Sequence, residues 1–259
     1  VLLVDFSYKR PVLEKMLETA YSVTVLDHHD TAMTDLAGLP VPELEMFGAD
    51  IHKSVLAGGD VYPNLYALFD MKRSGAMITW DFFFPGREAP RLLHHIQDRA
   101  LWKFEIPGTR EIQANLFSYP YDLKTWDGLM FDRNPDDLIK DGIALERKHF
   151  KDIKELLAVG SQYMRFKVPI EYNPDGFETV VVPVANLPYT MSSDAGHLLC
   201  ESGEAFGACY WDSKDGRNFS LRSEGKVDVG QIAKLYGGGG HKNAAGFRVP
   251  FDQLEQFEP

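Results

Sequence analysis

The chain has 259 residues, 27 Lys and Arg against 38 Asp and Glu for a net charge of −11, with 44% hydrophobic and 25% charged residues. That composition suits one large or two ordinary globular domains, and it excludes disorder, collagen-like repeats and a small disulfide scaffold as descriptions of the whole. The acidic balance argues against a protein that grips duplex nucleic acid by neutralising many phosphates, and no run approaches the roughly 18–20 apolar residues of a membrane span.

Residues 1–5 read as a short buried strand, four apolar residues followed by Asp5, and Val23–Asp27 repeats that pattern. Between them Pro11 opens a helical pattern with Val12, Leu13, Met16 and Leu17 on one face. Strand, helix and strand within so short a span make a βαβ unit with parallel strands, so Asp5 and Asp27 fall at neighbouring carboxyl ends, where open α/β sheets place their ligands. The chain starts inside an apolar run without an initiator Met, and residues upstream are therefore expected to be missing.

The Gly- and Pro-rich stretch 38–66 reads as loop with short helical pieces. Ser74 is placed to cap a helix running into Trp80–Phe84, stopped by Pro85-Gly86, and Pro90 opens another that carries Leu92, Leu93 and Ile96 and ends near Asp98 and Trp102. The clearest helix spans 135–160, with Pro135 and two aspartates in its first turn and Gly160 at its end. Short β-type runs follow at Phe166–Ile170, Thr179–Val184, Ala205–Tyr210 and Phe219–Leu221, with turn signals at Asn173–Gly176 and Asp212–Gly216. A helical segment near 228–236 leads into Gly237-Gly238-Gly239-Gly240-His241.

Two cysteines, Cys200 and Cys209, are too few for a disulfide framework and read as buried thiols. With no charged-then-apolar leader, a reducing, cytoplasmic home is expected.

Three groups of residues carry chemistry. Asp27-His28-His29 offers carboxylate and imidazole ligands at a strand end, where a divalent cation and a bound anion can be served together; a plain loop is the competing reading. Asp98, in Gln97-Asp98-Arg99, is either a further metal ligand or a residue that pairs locally and ends its helix. His94 and His95 read as surface or packing residues. The glycine run with His241 lets backbone N–H groups approach an anion closely, against the alternative of a flexible turn, and Arg222 shares a strand face with Ser220 and can fork a phosphate. Trp102, Tyr189, Phe219 and Tyr236 are either base-stacking or core residues.

In this order these motifs resemble the DHH phosphoesterase superfamily, in the branch with the DHH-associated C-terminal domain that holds RecJ-like exonucleases, nanoRNases and phosphatases of small nucleotides. The resemblance implies an α/β fold: a Rossmann-like catalytic domain over 1–134 (incomplete at its N-terminus), a connector helix over 135–165, and a smaller substrate-binding domain over 166–259, with the active site in the cleft between them. It implies that Asp5 bridges two Mn²⁺ ions (or Mg²⁺ or Co²⁺), that His28 and Asp98 hold one of them, and that Asp27 and His29 act beside them. Arg222, Gly238, Gly239, Gly240 and His241 would hold the substrate's far phosphate. The family's first motif, with its further ligands, does not precede Asp5.

The expected activity is hydrolysis of short single-stranded RNA or DNA to 5′-mononucleotides by two-metal activation of water. A phosphomonoesterase of small nucleotides such as adenosine 3′,5′-bisphosphate, and a non-catalytic nucleotide-binding module, are the alternatives. No membrane partner is expected; a homodimer is left open.

Overall fold

The computed structural model describes residues 1–44, 64–170, 173–201 and 203–258, and the chain divides into two units, Val1–Glu146 and Arg147–Pro259. Residues 45–63, most of the stretch read as loop, lie outside the described residues.

The first unit is built on three parallel strands, β1 (Leu2–Val4), β2 (Val23–Asp27) and β3 (Leu65–Phe69), in that spatial order. Every residue of the central strand β2 is buried, which is why its sequence lacks a polar face. Helix α1 (Arg10–Met16), with Pro11 in its first turn, connects β1 to β2 and buries Leu13 completely against Leu3, Val23, Val25, Leu36, Leu65 and Ala67. Strand β3 escapes the sequence reading because Leu-Tyr-Ala-Leu-Phe is short and has no β-branched residue to mark it.

Helices α2 (Asp30–Asp35), α3 (Gly75–Phe83), α4 (Arg91–Ala100), α5 (Thr109–Leu116) and α6 (Leu123–Phe131) complete this unit with the first half of α7 (Pro135–Gly160). The Ser74 hydroxyl accepts from the Met77 N–H at 3.2 Å, the cap its sequence position anticipates. Leu92, Ile112, Leu116, Leu129 and Leu138 form a second core among the helices.

The second unit takes up the rest of α7 and a six-stranded sheet in the order β4-β5-β6-β7-β9-β8. The strands are β4 (Ser161–Ile170), β5 (Asn173–Asn186), β6 (Gly207–Ser213), β7 (Gly216–Arg222), β8 (Gly239–His241) and β9 (Ala244–Val249). The pair β5–β6 is parallel and is bridged by helix α8 (Ser192–Cys200); the other pairs are antiparallel. Asn173–Gly176, read as a turn, instead belongs to β5: Asn173 stands opposite Ile170, and a register shift at Pro169/Ile170 carries the ladder past a residue with no N–H to donate.

One sheet face packs Phe166, Phe206, Phe219, Phe247 and Phe257 with helix α9 (Val229–Leu235). Phe219 and Tyr236 therefore belong to the core: Tyr236 stacks on Phe247 and its hydroxyl accepts from the Lys167 N–H. The other face packs Cys209 and Ala185 against Ile153 of α7 and Ala195 and Leu199 of α8. Both cysteines are buried, and burial pushes the Cys209 thiol up to about 12. Among the described residues no helix is long and apolar enough to cross a membrane.

Candidate metal centre and anion site

Three parallel strands deliver three aspartates to one edge of the first sheet. Asp5 follows β1, Asp27 ends β2 and Asp70 follows β3, its N–H directed at the Asp27 carbonyl at 3.4 Å. Asp70, missed in the sequence, was signalled there by the same pattern of an apolar run closing on an aspartate. Its carboxylate takes the Lys72 N–H and Arg73 Nε, and Arg73 also reaches Asp81 at 2.6 Å, so this third position is already neutralised.

Asp27 is wholly buried. Its Oδ1 accepts from the His28 N–H at 2.7 Å and faces His29 Nδ1 at 2.7 Å, whereas among the described residues its buried Oδ2 has no hydrogen-bond partner. Leaving a charged oxygen in that state is costly. One ligand atom from each of Asp5, Asp27 and His29 lies within 4.8 Å of the others. Two carboxylates and an imidazole, one carboxylate oxygen being buried without a partner, fit a divalent cation of the Mn²⁺ or Mg²⁺ type. A neutral His29 that donates Nδ1–H to Asp27 keeps its lone pair on Nε2, the form a cation needs.

The surroundings shift the titration of two of these side chains. Burial pushes the Asp5 carboxyl up, but the hydrogen bond and charge of His28, the charge of His29 and the Gly75 N–H outweigh it and bring it below the ordinary value. Burial pushes the His29 imidazole down, yet the bond to Asp27 and the charges of Asp27, Asp5 and Asp30 raise it overall. His28 is buried, sets Nε2 3.2 Å from Asp5 Oδ1 and packs edge-on to the His29 ring. Asp27 and His29, expected to act beside the metal, thus share with Asp5 a group that could hold one, and His28, expected as a ligand, sets Nε2 against Asp5.

Asp98 does not join that group. It is buried in α4, where Oδ1 accepts from the Glu105 N–H and Oδ2 from the Ile106 N–H and the Thr109 hydroxyl, at 2.7–3.1 Å. Burial pushes its carboxyl up, and these donors more than offset that and hold it low. Both oxygens accept hydrogen bonds that fix the loop from α4 to α5, whereas the sequence left open a metal ligand or a residue that pairs locally and ends its helix. His95 adds to this network through Thr109 at 2.9 Å.

In the second unit, Arg222 ends β7 with its side chain half-buried. Nη1 donates to Ser220 Oγ and the Leu221 carbonyl, and Nη2 to Ser193 Oγ at 2.6 Å. Burial pulls the guanidinium below its usual range, against the favourable charges of Cys209, Asp194 and Cys200, and among the described residues no carboxylate forms an ion pair with it. Three of five N–H donors are used, so a forked edge is left for an anion. The cross-strand register puts Arg222 opposite Ala244, and Ala244 opposite His241, in one row on one face. Most of the glycine run is not a free loop: Gly239–His241 pairs with β9 as a short edge strand. A Cβ on Gly238 would overlap the Gly246 carbonyl and lie 2.8 Å from Phe247 Cα, so glycine is what allows the strand to sit there.

Fold and site together define a two-unit α/β protein with a carboxylate–imidazole group on a parallel sheet and a half-buried arginine on a mixed one. Residues 191–258 match the DHHA1 domain, so the chain carries the C-terminal domain associated with the DHH superfamily. Over 266 aligned residues it is 28% identical to a mimivirus protein (uncharacterized protein R106 of Acanthamoeba polyphaga mimivirus), covering 98% of this chain and 56% of the relative. The chain thus spans about half the length of that relative. Among solved structures it is similar to a pGpG-specific phosphodiesterase from Vibrio cholerae, at 11% identity and a TM-score of 0.41, over 96% of this chain and 86% of that one. It is also similar to an exopolyphosphatase-related protein from Bacteroides fragilis, at 13% identity and a TM-score of 0.41, over 96% and 65% of the two chains.

Proposed function

We propose that this chain is a metal-dependent phosphoesterase that hydrolyses short single-stranded oligonucleotides to 5′-mononucleotides. The observation that carries the reading is the buried Asp27 Oδ2, without a hydrogen-bond partner among the described residues, on an aspartate grouped with Asp5 and His29. A charge left buried in this way is expected where a cation completes the site. The DHHA1 domain and the half-buried Arg222 supply a second, independent argument for an anionic substrate.

Asp5, Asp27 and His29 would hold a divalent cation such as Mn²⁺, which supplies Lewis acidity toward a phosphoryl oxygen and a more acidic bound water. The chain's own residues do the rest. Asp27 fixes the His29 ring through Nδ1. His28 holds the Asp5 carboxylate in place through Nε2. In the second unit, the forked edge of Arg222 in its row with His241 receives a further phosphate of the substrate.

The test is hydrolysis of a 5′-labelled RNA series of two to twenty-four nucleotides in Mn²⁺, with release of inorganic phosphate and of mononucleotide followed in parallel. Mononucleotide release fastest on the shortest members supports the reading. Release of phosphate alone from small nucleotides replaces it with a phosphomonoesterase, and failure to hydrolyse any phosphate ester while nucleotide still binds leaves a binding module.

A further inference from the structure

The connection from β1 to α1 sets two aromatic rings in solvent directly after the candidate ligand Asp5. Phe6 is 47% exposed and Tyr8 48%, and the two rings meet edge-on at 5.8 Å, with 83° between their planes. Neither belongs to the buried core, and among the described residues the ring contact of each is with the other.

The backbone that carries them is held at both ends. Among the described residues the non-glycine positions with positive φ are Asp5, Trp102 and Phe104, at 63°, 56° and 53°. At Asp5 the surroundings impose that conformation. Its N–H donates to the Leu26 carbonyl at 2.9 Å, its carboxylate meets His28 Nε2 at 3.2 Å, and the Gly75 N–H donates to the same carboxylate. The chain therefore turns sharply at a candidate ligand, and imposed strain of this kind gathers at functional sites. At the other end the Lys9 carbonyl accepts from the Val12 and Leu13 N–H groups, Pro11 stands in the first turn of α1, and Arg10 Nη2 donates to the Ala37 carbonyl at 2.9 Å. Between these anchors the Ser7 hydroxyl donates to the Tyr8 carbonyl at 2.9 Å. A segment so short and so anchored holds its rings in place before a ligand arrives, which lowers the ordering cost of binding.

Position decides what the rings can meet. They follow the carboxyl end of a parallel strand, where open α/β sheets place their ligands. The Phe6 Cα lies one peptide, about 3.8 Å, from that of Asp5. A chain of net charge −11 gains little from long-range attraction toward a polyanion, whereas stacking on uncharged rings supplies affinity that this charge does not oppose.

We propose that Phe6 and Tyr8 form an aromatic shelf for the nucleobase of the nucleotide whose phosphate lies at the Asp5, Asp27 and His29 group. The shelf rests on the oligonucleotide reading above and names the residues that favour a nucleotide over a simple phosphate ester. Ring faces accept any base, so little sequence preference is expected.

The experiment compares a 5′-phosphorylated uridine dinucleotide with its abasic counterpart, which keeps the sugars and phosphates and carries no base. The preference for the base-bearing molecule is read from isothermal titration in EDTA and again from Michaelis constants in Mn²⁺. The parent is expected to prefer it about tenfold. Phe6→Ala and Tyr8→Ala should each lower that ratio about threefold, the double variant should bring it within twofold of one, and Tyr8→Phe should keep it. The slope of affinity with salt should stay at the parent's value in the alanine variants, because no ionic contact is lost. Thermal unfolding of each variant separates loss of binding from loss of fold. A double variant that keeps the parent's ratio overturns the shelf. A parent that hydrolyses both molecules with equal Michaelis constants overturns it too and leaves the phosphoesterase standing. A parent that prefers the base through these rings but hydrolyses nothing upholds the shelf while the catalytic reading fails, and one that neither binds nor hydrolyses either molecule overturns both.

Discussion

Gly75 leaves no room for a side chain because Asp5 occupies the space: a Cβ there would overlap the carboxylate Oδ1 and lie 2.6 Å from Asp5 Cβ and 2.7 Å from its Cα. The contact ties the first residue of α3 to the end of β1, and the Gly75 N–H donates to the same carboxylate. Backbone atoms on the Asp5 side cannot move aside as a flexible side chain would. Gly75→Ala is therefore expected to displace Asp5 and weaken Mn²⁺ binding by about 10–100-fold, the range found for residues that orient metal ligands. Isothermal titration with Mn²⁺ checks it, and an affinity equal to the parent's would show that Asp5 is not a ligand.

A cation that satisfies Asp27 Oδ2 stabilises the fold that presents it. Mn²⁺ at 100 times its dissociation constant is expected to add about 2.7 kcal/mol by linkage, and EDTA to remove the gain. Asp27→Asn is expected to abolish the response, because the amide cannot supply the second charged oxygen. Differential scanning calorimetry with and without metal reads both effects.

His29 gives the centre a pH dependence of known sign. Its imidazole is raised above the ordinary value near 6.5, so protons compete with metal into the neutral range. Mn²⁺ affinity is expected to climb between about pH 6 and pH 8 as the ring loses its proton. In metal-free protein the sign reverses: a raised folded-state value adds stability that is present in full below the unfolded value and is lost as pH rises through the folded one. His29→Gln should flatten both profiles; a binding profile that stays steep in that variant would assign the proton to another group.

Much of this was legible in the sequence because it is local. Apolar runs closing on Asp5 and Asp27, a Pro-initiated helix between them, and Ser74 three residues before the N–H it caps are all patterns of adjacent residues. The same holds for Asp27-His28-His29, where the backbone turn itself brings His28 N–H and His29 Nδ1 to one oxygen. What could not be read depends on distant parts of the chain. Nothing near Gly75 announces that Asp5 will fill its side-chain space, and nothing near Arg222 points to Ser193, 29 residues earlier. Asp98 was ambiguous because the donors that saturate it come from the next helix and the strained loop before it.

Asp98 separates the two readings by experiment. If it anchors the loop, Asp98→Asn is expected to cost about 1–3 kcal/mol of stability and to leave Mn²⁺ affinity near that of the parent. Its lowered carboxyl value adds stability that is present above the unfolded value near 3.9 and lost as pH falls through the folded one. The asparagine variant should therefore show a shallower loss of melting temperature below about pH 4. Loss of metal binding with stability intact would restore Asp98 to the ligand set.

Arg222 is a half-buried cation whose hydrogen bonds go to neutral oxygens, which leaves its charge for an anion to meet. The packing around it is shaped to keep it extended: a Cβ on Gly196 would come within 2.7 Å of Arg222 Cγ, and Ser193, in the same turn of α8, holds Nη2. Arg222→Lys retains charge but loses the fork, so the Michaelis constant for a dinucleotide should rise about tenfold or more while the turnover number changes less. Ser193→Ala leaves the guanidinium in place with one fewer acceptor, and a smaller rise, about threefold to tenfold, is expected. The same ordering should appear in direct binding of a mononucleotide without metal, where no step of hydrolysis contributes. Equal affinities in all three proteins would mean that Arg222 only braces β7 against α8, and that the substrate's second phosphate is held elsewhere.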